Sequence, residues 1–206
     1  MRIYLVRHGE TEYNVKGLYM SSDIPLSATG FKQAQNLANR FKNIKVDKVY
    51  SSPYERTKQT AKLIEEVVNL NIEYDGDLKE IVRPSEFIGK HLTDPNVQRI
   101  KKILKENANN PDFHYSDEEN FFDLVKRAKR IIQKIQHLTE EDILLITHEG
   151  FMKVVIATLM FGDELNSAMF DKLYFFFSIK NTGITVLEKR PDEWKLITWN
   201  DHAHLG

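Results

Sequence analysis

Two short apolar runs in this chain each pass directly into a histidine. Ile3, Tyr4, Leu5 and Val6 lead into Arg7-His8-Gly9, and residues 143–146 lead into Thr147-His148-Glu149-Gly150. Apolar runs of this length, partly β-branched, read as strands buried on both faces, the kind found in parallel sheets covered by helices. In an open α/β sheet, ligands sit beyond the carboxyl ends of the strands. A histidine at that edge, beside a permanently charged guanidinium, is placed for chemistry on an anion. Either histidine alone reads more simply as a solvated or satisfied strand end, so the rest of the chain decides.

The remaining pattern alternates strands with helices. Phe31, Ala34, Leu37, Ala38 and Phe41 recur at helical spacing, with Ser27 as the N-cap. Ser51-Ser52-Pro53 opens a second helix with Pro53 near its first turn, and Ala61, Ile64, Val67 and Val68 on its buried side. Helices are also expected over 121–138 and 151–161. Strands are expected over 46–50, 72–74, 143–146, 173–179, 182–187 and 194–199, the last two as a hairpin turning near Arg190-Pro191-Asp192. Residues 11–27 read as loop, and the run Tyr174-Phe175-Phe176-Phe177 reads as core. Over about 76–118 the pattern loosens around several prolines and a basic helix near 99–105. The expected architecture is one domain over 1–206: a three-layer α/β/α sandwich with a mostly parallel central sheet and an excursion over the active site.

Composition removes several function classes. The chain has no cysteine, which excludes thiol nucleophiles, zinc–thiolate sites and iron–sulfur clusters. A net charge of −1 gives no overall basic field for nucleic acid or anionic lipid, so attraction for an anionic substrate has to be local. The most apolar region, 143–161, is interrupted by His148, Glu149 and Lys153, which argues against a membrane span. With no basic lead and long apolar run at the N-terminus, a cytoplasmic location is expected.

Arg7-His8, the turn from Ser51 to Arg56, and His148 carry related chemistry at three strand exits. Arginines are almost never buried unpaired, and cations gathered at one edge repel unless an anion joins them. A phosphoryl group, with several acceptor oxygens and two negative charges, suits guanidinium forks. Further blocks follow in order: Asn14, Pro25-Leu26-Ser27 with Gly30, Arg56 with Gln59, Thr60 and Ala61, Leu78-Lys79-Glu80, residues 119–123 with Arg127, and Trp199-Asn200-Asp201 with His204-Leu205. Together with Arg7-His8-Gly9-Glu10-Thr11 and Thr147-His148-Glu149-Gly150, they resemble the histidine phosphatase superfamily, also called phosphoglycerate-mutase-like.

That resemblance implies a mechanism. His8 attacks phosphorus and becomes a phosphohistidine, which water then cleaves. It must be neutral to attack, and the charges of Arg7 and Arg56 disfavour its protonation. Arg7, Asn14, Arg56 and His148 hold the phosphoryl oxygens, joined by N–H groups at the start of the helix that follows Gly150. Glu80 protonates the departing oxygen and later activates the water, a role that asks for a proton held there by burial or by the bound phosphate. The cations take the electrostatic role of a metal, so no metal and no cofactor is expected. The partner is a small soluble phosphate ester, not nucleic acid or membrane.

Three departures from the family pattern bear on this reading. Residues 81–89 differ from the Gly and Trp-Glu-Gly-like element that usually follows the acid, which leaves Glu86 as runner-up to Glu80. Leu18 and Met20 stand where relatives often carry Arg and Gln, and Glu149 replaces a common Gly. The reaction stays legible and the substrate stays open. Alternatives to a phosphomonoesterase are a cofactor-dependent phosphoglycerate mutase and an idle member that only binds phosphorylated ligands. The chain lacks the mutases' longer insertions and their Arg- and Pro-rich segment, and it keeps His8, Glu80, Arg56 and His148. Phe87, Phe113, Tyr115, Phe121 and Phe122 surround the excursion and suggest an apolar or aromatic leaving group, with ordinary core packing as the competing reading. His202 and His204 read as an anchored tail rather than a metal chelate.

Overall fold

Strand β1 (Arg2–Arg7) lies inside a sheet with β2 (Lys48–Ser51), β3 (Ile72–Tyr74), β4 (Asp142–Thr147), β5 (Ile184–Lys189) and β6 (Trp194–Asp201), in the order β3-β2-β4-β1-β5-β6. The computed structural model describes all 206 residues. The four strands from β3 to β1 run parallel, while β5 and β6 are antiparallel neighbours at one side, so the sheet is mixed with a parallel centre. Seven helices complete the chain: α1 (Glu12–Lys16), α2 (Ala28–Phe41), α3 (Glu55–Val68), α4 (Pro95–Glu106), α5 (Phe121–Gln136), α6 (Glu149–Phe161) and α7 (Ser167–Phe176). None is long and apolar enough to cross a membrane.

Side-chain alternation along the strands divides the core in two. Ile3 and Leu5 of β1 and Ile143 and Leu145 of β4 pack with residues of α5, α6 and α7. Tyr4, Val6, Leu144 and Ile146 point the other way, into a smaller core with Leu37 and Phe41 of α2 and Ala61 and Ile64 of α3. Both faces of these strands are therefore covered, which explains why they read as unbroken apolar runs. The three-layer α/β/α expectation holds.

Several local expectations need correction. Residues 173–179 form no strand: α7 runs to Phe176, started by Asn166, whose side chain accepts from the Met169 N–H. The aromatic run is not core throughout, because Phe175 and Phe176 are each 81% exposed. Four successive aromatics favour a strand locally, but a capped helix shows only part of such a run to its neighbours. Pro53 lies ahead of α3, whose N-cap is Tyr54. The segment read as loop over 11–27 holds α1, opened by a capping box between Thr11 and Asn14.

The excursion contains α4 and a small core of its own, Phe87, Val97 and Ile100. Arg127 on α5 fastens its two ends. That guanidinium grips both Glu119 carboxylate oxygens at 2.6 and 2.7 Å and donates to the carbonyls of Asp77 and Lys79 at 2.9 and 2.7 Å. It is 3% exposed, so removing it leaves a carboxylate and two carbonyls short of donors. Arg127→Met is expected to lower the free energy of unfolding by roughly 3 kcal/mol or more, measured by urea titration.

Candidate active site

Three adjacent parallel strands deliver the site. Arg7 stands opposite Thr147, and Ser51 opposite Ile146, so β2, β4 and β1 end level with one another. The ladder continues one step further, with His8 N–H donating to the Thr147 carbonyl at 3.1 Å and Ser52 N–H to Ile146 at 2.9 Å. Alternation then sends successive residues to opposite sides. Arg7 follows Ile3 and Leu5 toward α6, where it meets Glu149 at 2.8 Å. His8 follows Tyr4 and Val6 toward α3, where it meets Arg56.

His8 is 1% exposed, and its ring orientation is set by its own neighbour. Nδ1 lies 2.7 Å from the Gly9 carbonyl, which can only accept, so the proton sits on Nδ1 and the lone pair on Nε2. The Arg56 Nε–H points at that lone pair from 3.3 Å. Burial first, and then the charges of Arg56 and Arg7, hold the His8 imidazole well below its ordinary range. His148 is depressed in the same way, by burial and then by Arg56. It lies 5.1 Å from the His8 ring between centroids, with Nε2 2.9 Å from the Ser52 hydroxyl. Burial brings Arg56 down to about 10, against the opposing pull of the Glu80 carboxylate, so it stays cationic at neutral pH.

These groups surround a cavity of about 720 Å³ whose wall includes Arg7, His8, Asn14, Arg56 and Glu80. The fully buried His148 lies outside that wall, in contact with the Tyr54 ring that does line it. Asn14 has its carbonyl oxygen occupied by the N–H and hydroxyl of Thr11, each at 3.1 Å, which leaves its amide N–H groups to serve as donors. Only three buried side-chain polar atoms in the structure lack a partner: Arg7 Nε, His148 Nδ1 and His204 Nδ1. Unpaired buried polar atoms are rare in native proteins, and two of these belong to the neighbours of His8, Arg7 and His148. The His204 ring anchors the tail through Thr182, whose own N–H donates to the Arg7 carbonyl.

Glu80 lines the cavity, while Glu86 is exposed and outside its wall. The Glu80 carboxylate accepts from the N–H groups of Ile81, Gly150 and Phe151 at 2.9, 3.2 and 3.0 Å. The expectation that the start of α6 offers those N–H groups to phosphate is therefore corrected: Gly150 and Phe151 are taken by Glu80. A Cβ at Gly150 would stand 2.5 Å from the Glu80 Oε1, so only glycine lets the carboxylate lie this close.

Among the aromatics expected around the substrate, Phe87 lines the cavity, but Phe113, Tyr115, Phe121 and Phe122 do not. Leu18 and Met20, the noted departures, do line it, as does Glu149. Sequence reasoning missed Tyr54, whose ring lies 5.1 Å from the Arg56 guanidinium, and Asn181, whose amide donates to the His8 carbonyl at 3.0 Å. No sequence signal marks either, since Tyr54 meets the His148 ring and Asn181 meets the His8 carbonyl only once the chain is folded.

The depressed histidines make a testable link to stability. Both stay neutral in the fold but take up protons in the unfolded chain below its ordinary value, near pH 6.5. The unfolded state then binds more protons, so stability falls as pH drops. Each histidine is expected to cost on the order of 1 kcal/mol between pH 7.5 and 5.5. In urea titrations at the two pH values, His8→Asn loses about that much less than wild type.

The family model described as histidine phosphatase superfamily (branch 1) matches residues 3–202. The adenosylcobalamin/alpha-ribazole phosphatase of Escherichia coli is 30% identical over 170 residues, covering 78% of this chain and 79% of the relative. The uncharacterized phosphatase PhoE of Bacillus subtilis is 28% identical over 207 residues, covering 99% and 96%. Among solved structures, the alpha-ribazole phosphatase from Shigella flexneri superposes with a TM-score of 0.78 at 26% identity, covering 98% of this chain and 97% of its own. The match extends from β1 to the His202 tail and takes in every strand that builds the site: this chain belongs to the histidine phosphatase superfamily.

Proposed function

We propose that the protein is a metal-independent phosphomonoesterase that works through a phosphohistidine. One observation supports this most: the unprotonated Nε2 of His8 faces the buried Arg56, with Arg7 on the neighbouring side. In this reading Nε2 attacks phosphorus, the P–O bond to the alcohol breaks, and Glu80 gives that oxygen a proton. Water then attacks the phosphohistidine as Glu80 takes the proton back, returning free His8 and inorganic phosphate. Arg7, Arg56, Asn14 and His148 are assigned to the oxygens of the transferring group, where charge concentrates. Because the guanidinium groups supply that positive charge, with neutral imidazole and amide N–H groups as donors, no divalent ion is needed.

The relatives named as phosphatases agree with hydrolysis, and the departures at Leu18, Met20 and Glu149 are where this chain's own substrate choice is expressed. The substrate is a small soluble ester whose alcohol portion carries apolar surface. Tyr19, Ile81, Ile88 and Leu92 join Phe87 on the cavity wall, and Ile88 and Leu92 are exposed there.

Phosphate release from a panel of esters in excess EDTA is expected from wild type, and none from His8→Ala. Acid-labile label from a phosphorylated substrate should map to His8 during turnover; hydrolysis without it overturns the reading. Isomerisation of 3-phosphoglycerate without phosphate release indicates a mutase instead. Glu80→Gln should slow hydrolysis most for alcohols that leave poorly. Gly150→Ala, which pushes a methyl against the same carboxylate, should reproduce that leaving-group dependence with a loss of about tenfold.

A further inference from the structure

The cavity holds one more cation than a single phosphoryl group explains. Of the chain's nine arginines, Arg2, Arg7, Arg40, Arg127, Arg130 and Arg190 each lie within 4 Å of a carboxylate. Arg99 is exposed and bonds to Asn96. Arg56 and Arg83 remain, Arg56 buried and Arg83 half-buried, neither within 4 Å of a carboxylate, and both on the wall of the same cavity. A guanidinium withdrawn from water without a counter-ion is costly, so such a group is accounted for when a ligand brings the anion. For Arg56 that anion is the phosphoryl group at His8. Arg83 needs another, because the cations acting on His8 are Arg56 and Arg7, and those acting on His148 are Arg56, Arg7 and Arg127. Arg83 shares its stretch of cavity wall with Tyr174, Tyr19 and Glu80.

Its backbone is held firmly. Val82 donates to the Glu119 carboxylate at 2.9 Å and accepts from the Glu119 N–H at 3.1 Å, and Ser85 donates to the Asp117 carboxylate at 2.9 Å. Pro84 restricts Arg83 itself to extended backbone. Arg127 in turn fixes Glu119 to α5. A long cationic side chain is thus mounted on a rigid stretch of an otherwise loop-rich excursion and faces the ligand space, an arrangement that pre-organises a binding contact.

We propose that Arg83, with the Tyr174 and Tyr19 hydroxyls, forms a second anion subsite, so that the substrate is a phosphate ester whose alcohol portion carries a carboxylate or a further phosphate. This rests on the phosphatase reading for the position of the first phosphoryl group. Glu80 serves the leaving oxygen in that reading, and Arg83, on the same cavity wall, is assigned to the alcohol portion.

The test compares butyl phosphate, 4-(phosphonooxy)butanoate and butane-1,4-diol bisphosphate in wild type, Arg83→Gln and Arg83→Lys. Wild type should prefer one or both anionic esters in kcat/KM, by about ten- to a hundredfold, and which of the two is preferred identifies the second group. Arg83→Gln should remove most of that preference through KM, and Arg83→Lys should restore part of it. A parallel fall on all three esters means that Arg83 acts through Glu80 or the fold and overturns the subsite, as does a wild type without preference. Calorimetric binding of the same esters to His8→Ala, with and without Arg83→Gln, separates the two readings. Tighter binding of an anionic ester that depends on Arg83 upholds the subsite even where wild type releases no phosphate, and its absence there overturns the subsite.

Discussion

Everything at this site depends on the level ending of β2, β4 and β1. Parallel pairing in register puts Ser52, His148 and His8 one residue beyond three neighbouring strands, and the period of two turns Arg7 and His8 to opposite sheet faces. The strands are anchored by two apolar cores, so the edge can carry groups that repel one another. Arg56 and both histidines are almost wholly buried there. The protein keeps this tolerable by leaving the histidines neutral: two guanidinium groups remain charged and two imidazoles do not. The same neutrality leaves His8 a lone pair on Nε2, so the solution to a repulsion problem also meets the requirement of the proposed nucleophile.

How much of this the sequence discloses depends on how local each cause is. The strands ending in His8 and His148 are readable because burial on both faces writes itself as an apolar run. The Ser27 cap, the helices around it and the order of the family blocks are readable for similar reasons. The identity of α7 is not, because Phe175 and Phe176 have strand-like preferences while Asn166 starts a helix ten residues earlier. Tyr54, Asn181 and Arg83 are illegible for another reason. What makes them matter is a neighbour 64 to 173 positions away in the chain: His148 for Tyr54, His8 for Asn181, and Tyr19 and Tyr174 on the cavity wall for Arg83.

The start of α6 shows how one helix end can be used differently from expectation. A helix N-terminus attracts anions through its unpaired N–H groups and its dipole. Here the anion at Gly150 and Phe151 is the protein's own Glu80 carboxylate. The contact trades a direct hold on phosphate for a fixed position of the group assigned to proton transfer. It also couples the excursion to the sheet: Glu80 is pinned by α6 on one side, while its carbonyl and that of Lys79 accept from Arg127 on the other.

Glu149 is the residue that least suits an anion site, since a carboxylate there repels a dianion. Its surroundings reconcile the two. One oxygen meets Arg7 at 2.8 Å and the other meets Lys153 at 2.7 Å, and Lys153 is itself 3% exposed, resting on the Tyr174 carbonyl and ring. Arg7, Glu149 and Lys153 together carry one net positive charge, which is what Arg7 would bring alone. The carboxylate therefore adds rigidity without changing the sum: it holds the Arg7 guanidinium through one terminal nitrogen and leaves Nε unpartnered. Lys153 needs Glu149 because no other acid reaches it, and Glu149 needs Lys153 because without it the pocket would face phosphate with a charge of its own sign. Glu149 and Lys153 stand or fall together, and their spacing of one helical turn on α6 is what lets them do so.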